Sequence, residues 1–288
     1  MKEKALSALL YLIALLPFWF LYKVADLIYL ILYYVVKYRR KVVAENLRNS
    51  FPEKSASERQ EIEKKFFKFL PDLFVEALKM KSISPEEVKD RIQLIDEDEI
   101  LRHVRAHKGV VAVTAHYGNW ELAIHRFGFM LEEPKLVIYK PLNNPVMESV
   151  YNAIRTRFGA IMVPMKQILR HIVKLRGQGF ISVFVADQTP LHQDSDYFIN
   201  FLNQETLVYT GPERIARMQN SPIVYCHIAP AEKRGYYTCK FTTLVEDPSQ
   251  YKEHEITNLH NKFTEDRIRE EPAYWLWSHR RWKRKRRK

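Results

Sequence analysis

Val110-Val111-Ala112-Val113-Thr114-Ala115-His116-Tyr117-Gly118-Asn119-Trp120-Glu121-Leu122 is the stretch on which the architecture turns. Its first five residues form an apolar, β-branched run of strand length, which reads as a short buried strand. Gly118 permits a tight turn. Asn119 suits a helix N-cap, and Glu121 then falls in the first helical turn. The unit is strand, turn, helix. It sets an imidazole at the carboxyl end of a strand and a carboxylate at the start of the next helix, the edge where open α/β sheets bind ligands.

The same alternation continues downstream. Strands are expected over 136–139, 160–163, 180–186, 222–228 and 236–245, with helices over 120–131, 145–158, 168–176, 210–219 and 251–269. The fold class that follows is α/β: a mixed, largely parallel sheet flanked by helices. Upstream, 42–84 reads as helical and is broken by Asn49-Ser50-Phe51-Pro52. The stripe Ile62, Phe66, Phe69, Leu70, Leu73, Phe74, Ala77 and Leu78 has helical spacing. It is a core-facing stripe or, as the alternative, a face laid on a membrane.

At the chain's beginning, residues 5–22 are almost entirely apolar, Lys23 and Asp26 interrupt, and a second apolar run over 27–36 leads into Lys37, Arg39, Arg40 and Lys41. About 20 helical residues cross a bilayer's hydrocarbon. The expectation is a first helix that inserts, a second that lies in the interface, and an anchor comprising residues 1–40 ahead of a catalytic domain over 41–288. The alternatives are a cleaved signal segment, for which no small-residue cleavage site is evident, and a soluble hairpin. Basic residues after the second run place the main domain on the cytoplasmic side.

Hydrophobic residues make up 47% of the 288, which excludes global disorder; 8 glycines and 14 prolines exclude a fibrous chain. The net charge of +12 is concentrated: the last ten residues carry eight Lys and Arg and no acid, leaving +4 for the rest. Such clusters attract phosphates, anionic head groups or an acidic protein. For the tail 280–288, an interfacial anchor is preferred over a nucleic-acid adaptor, because no nucleic-acid-binding motif is visible. Cys226 and Cys239 are expected to be buried free thiols, with a disulfide between neighbouring strands as the alternative.

In chemical terms, His116 can accept a proton from a hydroxyl while Glu121 orients the ring and stabilises the imidazolium. No serine or cysteine nucleophile is near, so direct attack by a substrate hydroxyl is the simpler chemistry. The alternative makes His116 a turn residue and Glu121 a charge at a helix start. A metal site built from His116, Glu121 and His125 lacks the paired-histidine helix of zincins.

His116-x-x-x-x-Glu121 in this setting resembles the signature of the glycerolipid and lipid A acyltransferase superfamily. Further blocks are similar to the lipid A branch: Tyr139-Lys140-Pro141-x-x-Asn144-Pro145, Arg155-x-Arg157-Phe158-Gly159, Val163-Pro164-Met165, Ala186-Asp187-Gln188-x-Pro190, Phe198-x-x-Phe201, Thr210-Gly211-Pro212, Pro222-Ile223-Val224, and Trp275-Leu276-Trp277-x-His279-Arg280-Arg281-Trp282-Lys283. The resemblance spans residues 1–284. It implies a thioester of acyl carrier protein as donor, a phosphorylated glucosamine disaccharide at the bacterial inner membrane as acceptor, and no cofactor or metal. His116 is then the general base and Glu121 its partner, with Lys140, Arg155, Arg157 and Asp187 in the substrate site. Lys140 stands where the family usually has Arg, which loses the bidentate fork but keeps a point charge. Asp187 has the alternative of capping a turn, and Arg155 and Arg157 that of pairing with surface acids.

Overall fold

In the computed structural model, which describes residues 2–106, 108–190 and 195–286, the central strand β2 (Gly109–Thr114) has parallel neighbours on both sides. Seven strands form the main sheet. In chain order they are β1 (Ile92–Ile95), β2, β3 (Lys135–Tyr139), β4 (Ala160–Pro164), β5 (Phe180–Val185) and, after a small antiparallel hairpin of β6 (Phe198–Phe201) and β7 (Gln204–Leu207), β8 (Ile223–Pro230) and β9 (Tyr237–Val245). Their spatial order is β1-β9-β8-β2-β5-β3-β4, and only the β8–β9 pair of this sheet is antiparallel. The expected mixed, largely parallel sheet is therefore present.

Helices cover both faces because β2 is apolar on both. Val110 and Ala112 pack into a core shared with α6 (Asp98–Arg105), α7 (Trp120–Gly128) and α8 (Pro145–Arg155). Val111 and Val113 point the other way, into a core shared with α9 (Ile168–Lys174), α10 (Gly211–Gln219) and α11 (Glu255–Glu270). This is the two-residue period of a strand read by two layers of helix. A third cluster caps the carboxyl edge of the sheet: Phe51, Phe66 and Phe67 meet Tyr117, Trp275 and Trp277 there.

The capping helices are α3 (Arg40–Ser50) and the long α4 (Ala56–Lys79), which Ser55 and Glu58 start with a reciprocal capping box. Phe66, Phe69 and Leu70 of its apolar stripe are buried, whereas Phe74 is exposed, so the stripe is mostly core-facing. The short α5 (Pro85–Arg91) then leads into β1. Cys226 and Cys239 are free and buried, as expected.

The apolar N-terminus divides differently from the expectation. Pro17 cannot donate to the preceding turn and disfavours a helical residue before it. The chain breaks there into α1 (Lys2–Leu15) and α2 (Phe18–Leu30), the latter continuing through a π-helical turn, Ile31–Val35. Among the described residues, the helix long and apolar enough by length and composition to cross a membrane is thus the second, Phe18–Val35, and not the run over 5–22. One side of α2 is docked: Leu21 and Ala25 are buried, Tyr22 donates to Glu76 on α4 at 2.8 Å, and Asp26 pairs with Arg234 at 2.8 Å. The other side shows Trp19, Leu27, Leu30, Tyr34 and Val35 to the outside.

Candidate active site

His116 leaves β2 at the carboxyl edge, two residues beyond Thr114. The turn after it needs Gly118: its φ is +60°, and a Cβ there would stand 2.2 Å from the carbonyl oxygen of Ile228. Asn119 then caps α7 as expected, its Oδ1 accepting from Leu122 N–H at 2.8 Å. The other end of the same amide donates to Glu76, a buried carboxylate that also accepts from Tyr22 and Tyr237. Burial raises the Glu76 carboxyl to about 7 in spite of those donors.

The carboxylate on the imidazole is Asp187, not Glu121. Asp187 follows β5, the parallel neighbour of β2, and its Oδ1 lies 2.6 Å from His116 Nδ1. Its Oδ2 accepts the backbone N–H of His116 at 3.1 Å and the indole N–H of Trp275 at 2.7 Å. Burial would raise this carboxyl; the His116 imidazole and these donors outweigh that and hold it at about 2. An ionised Asp187 can only accept, so Nδ1 is the donor in this contact and Nε2 is the ring nitrogen turned away from Asp187. The ring is 19% exposed, and Trp120 stands edge-on to it at 5.0 Å.

Glu121 does something else. It sits near the start of α7 and faces α8, where Arg155 Nε donates to it at 2.8 Å and the second guanidinium nitrogen completes a bidentate pair. The Trp120 indole N–H donates to it at 3.1 Å. The expectation that Glu121 holds the ring is corrected on this geometry. Its carboxylate is committed to Arg155 and Trp120 and shapes the wall beside His116. Arg157, proposed from the sequence to hold phosphate, caps the end of α4 and the turn after it by donating to the carbonyls of Met80 and Ile83. Lys140 follows β3 at the same sheet edge and is exposed, without an ion pair among the described residues.

His125 is buried. Its Nε2 donates to the Ile154 carbonyl at 2.9 Å, and burial lowers the ring to about 4. Among the described residues no group of three His, Cys, Asp or Glu is placed to hold a metal ion.

The C-terminal segment supplies what the sequence reading did not assign. Leu276 N–H donates to the His116 carbonyl at 3.0 Å, and Gly118 N–H donates to Tyr274 O at 3.1 Å, so this segment threads beside the His116 turn. Trp275 is the donor to Asp187, and His279 Nε2 accepts from Thr189 N–H at 3.3 Å just past Asp187. The tail was expected to lie on lipid from residue 280. Instead Arg281 is buried, donating to the Leu207 carbonyl at 2.8 Å, and Trp282 Nε1 donates to Thr206 at 2.7 Å. Desolvation lowers the Arg281 guanidinium to about 10.

The family model for bacterial lipid A biosynthesis acyltransferases matches residues 5–284. The chain is 26% identical over 249 residues to the lipid A biosynthesis palmitoleoyltransferase of Escherichia coli (strain K12), covering 86% of this chain and 80% of that protein. It is 27% identical over 252 residues to the lauroyltransferase of the same strain, with the same coverage. To the lipid A biosynthesis acyltransferase of Haemophilus influenzae it is 23% identical over 251 residues, covering 85% and 78%. With a match over nearly its whole length and a histidine–carboxylate pair at the ligand-binding edge of its sheet, the chain belongs to the bacterial lipid A biosynthesis acyltransferase family.

Proposed function

We propose that this O-acyltransferase moves a fatty acyl chain from the thioester of acyl carrier protein to a hydroxyl of a membrane glycolipid, a lipid A precursor, by general-base catalysis. The observation that carries the reading is the 2.6 Å contact between His116 Nδ1 and the ionised Asp187. His116 Nε2 takes the proton of the acceptor hydroxyl as its oxygen attacks the thioester carbon. The tetrahedral oxyanion collapses, the C–S bond breaks, and the imidazolium returns the proton to the departing thiolate. The products are the new ester and the free carrier thiol.

Asp187 orients the base and stabilises the imidazolium. Glu121 acts as a positioning residue, holding Arg155 and Trp120 against the site. Lys140, exposed at the end of β3, offers a point charge to the oxyanion or to a substrate phosphate. The outward apolar face of α2 rests in the lipid of the inner membrane. The catalytic domain, with the exposed Lys37 and Lys41 behind that helix, faces the cytoplasm.

The test supplies purified protein with a glucosamine-disaccharide acceptor and either carrier-bound or coenzyme A-bound acyl donor, and reads products by mass spectrometry. One added acyl chain from the carrier-bound donor is expected, with an apparent KM for that donor that rises with salt as charge steering is screened. Preference for the coenzyme A thioester, or transfer to a lysophospholipid in place of the disaccharide, would overturn it.

A further inference from the structure

A phosphorylated acceptor needs cations, and the two arginines that the sequence offers are occupied. Arg155 is bound to Glu121, and Arg157 donates to backbone carbonyls. Free positive charge lies elsewhere on the same sheet edge. A cavity of about 270 Å³ opens between α4 and the turn that joins β8 to β9. Lys65 and Lys68 enter it from α4, three residues apart and hence on one helix face, and Lys233 enters from the turn.

None of these three ammonium groups has an ion pair among the described residues. Lys233 is set over the Tyr236 ring at 3.9 Å. The one buried acid of the wall, Asp72, is taken up by Arg234, which donates to both its oxygens at 2.8 and 2.6 Å and to Asp26 as well. Glu232, on the exposed rim, is the other carboxylate of the lining, so the charged side chains of the cavity are four cations, Lys65, Lys68, Lys233 and Arg234, and two anions, Asp72 and Glu232. The volume holds a phosphate together with several waters, each of which needs about 30 Å³.

The cavity is close to the chemistry. Tyr274 forms part of its wall, and the carbonyl of Tyr274 accepts the N–H of Gly118 in the His116 turn. Pro230, the last residue of β8, is also in the wall, and β8 lies directly beside β2. Through Arg234 and Asp26 the cavity also adjoins α2, whose outer face is apolar.

We propose that this cavity is a phosphate subsite for the acceptor, in which Lys65, Lys68 and Lys233 hold a phosphate monoester while the acceptor hydroxyl lies at His116. The proposal rests on the glycolipid acceptor argued above. Its test compares a phosphorylated glucosamine-disaccharide acceptor with its dephosphorylated counterpart in mixed detergent micelles, using the full chain and carrier-bound donor. The triple variant Lys65→Gln/Lys68→Gln/Lys233→Gln changes exposed side chains, and the fold is checked by its melting temperature. The expected result is a rise of roughly tenfold in KM for the phosphorylated acceptor, an unchanged kcat, and no change in KM for the dephosphorylated one. An equal rise for both acceptors, or no rise for either, overturns the subsite.

Vesicles containing phosphatidylglycerol separate the two sources of lipid phosphate. If the variant loses sedimentation with such vesicles but keeps its KM for the phosphorylated acceptor in micelles, the lysines read the surrounding membrane and the acceptor subsite is wrong. If wild-type protein acylates neither disaccharide, the glycolipid reading itself fails, and the subsite falls with it.

Discussion

Asp187→Asn tests the dyad more sharply than removal of the histidine, because the structure dictates how the amide must sit. Two N–H groups, from the His116 backbone and the Trp275 indole, point at Oδ2, while Nδ1 faces Oδ1. An asparagine satisfies the two donors by turning its carbonyl toward them. Its NH₂ then faces Nδ1, which must accept, so the ring proton moves to Nε2 and the base is blocked. The opposite rotamer restores the working tautomer but aims NH₂ at two buried donors. Each donor left unsatisfied costs about 1–3 kcal/mol, or roughly 2–6 kcal/mol for the pair. At about 1.4 kcal/mol per decade this predicts a fall in kcat of roughly 30-fold to 2 × 10⁴-fold, with the roughly 10⁴ for the same exchange in a serine protease triad inside that range. The acceptor KM should barely change, since neither Asp187 oxygen is free to touch substrate. Steady-state rates with carrier-bound donor, beside thermal melting, decide it. A folded Asp187→Asn variant with kcat within fivefold of wild type would refute the assignment of Asp187 as the orienter of His116.

Three further outcomes follow from the packing. Glu76 has a folded pKa raised from 4.5 to about 7, so the stability it allows is full below pH 4.5 and is lost as pH rises through 7. Relative to wild type, Glu76→Gln should therefore gain about 3 kcal/mol between pH 4.5 and pH 8, and denaturant titrations showing a constant difference would count against it. Arg281→Ala should destabilise the fold by about 2–4 kcal/mol while leaving vesicle binding by the folded protein intact, since the guanidinium is buried on Leu207 and not laid on lipid; unchanged melting with weakened vesicle binding would restore the tail to the membrane. Leu27→Glu with Leu30→Glu places charge on the outward face of α2 and should cut vesicle partitioning at least tenfold with little change in melting temperature, because both side chains are largely exposed; undiminished partitioning would put the membrane contact elsewhere.

What could be read from the sequence is what is local. The strand at 110–114, the glycine turn and the Asn119 cap each depend on neighbours a few residues away, and each is in the structure as expected. The parallel sheet followed from repetition of that unit. The hairpin β6–β7 did not announce itself. Its turn is Leu202-Asn203, with φ of +50° and +61°, and a leucine in the left-handed region is not a turn signal. The four-residue β1 is too short to show a period. The division of the N-terminus is legible in principle, because Pro17 lies inside the apolar run over 5–22 and breaks the helix there.

The partner of His116 is the instructive failure. Glu121 is five residues from the histidine and Asp187 is seventy-one, so proximity along the chain favoured the wrong carboxylate. A parallel sheet reverses that preference. Its carboxyl edge gathers the residues that end neighbouring strands, and the neighbour of β2 is β5, which comes later in the chain than both β3 and β4. Glu121, by contrast, sits near the start of α7, which packs against α8, and there Arg155 is waiting. The strand order was not available from the sequence, but the rule was: after a buried strand, the first polar residue at its carboxyl end is a candidate for the shared edge. Asp187 satisfied it, as did His116 and Lys140. Trp275 satisfies no such rule. It arrives from beyond the last helix and reaches Asp187 only because the chain's end folds back across the edge, so the block that begins at Trp275 could be quoted from the sequence as a resemblance without its indole being given a role.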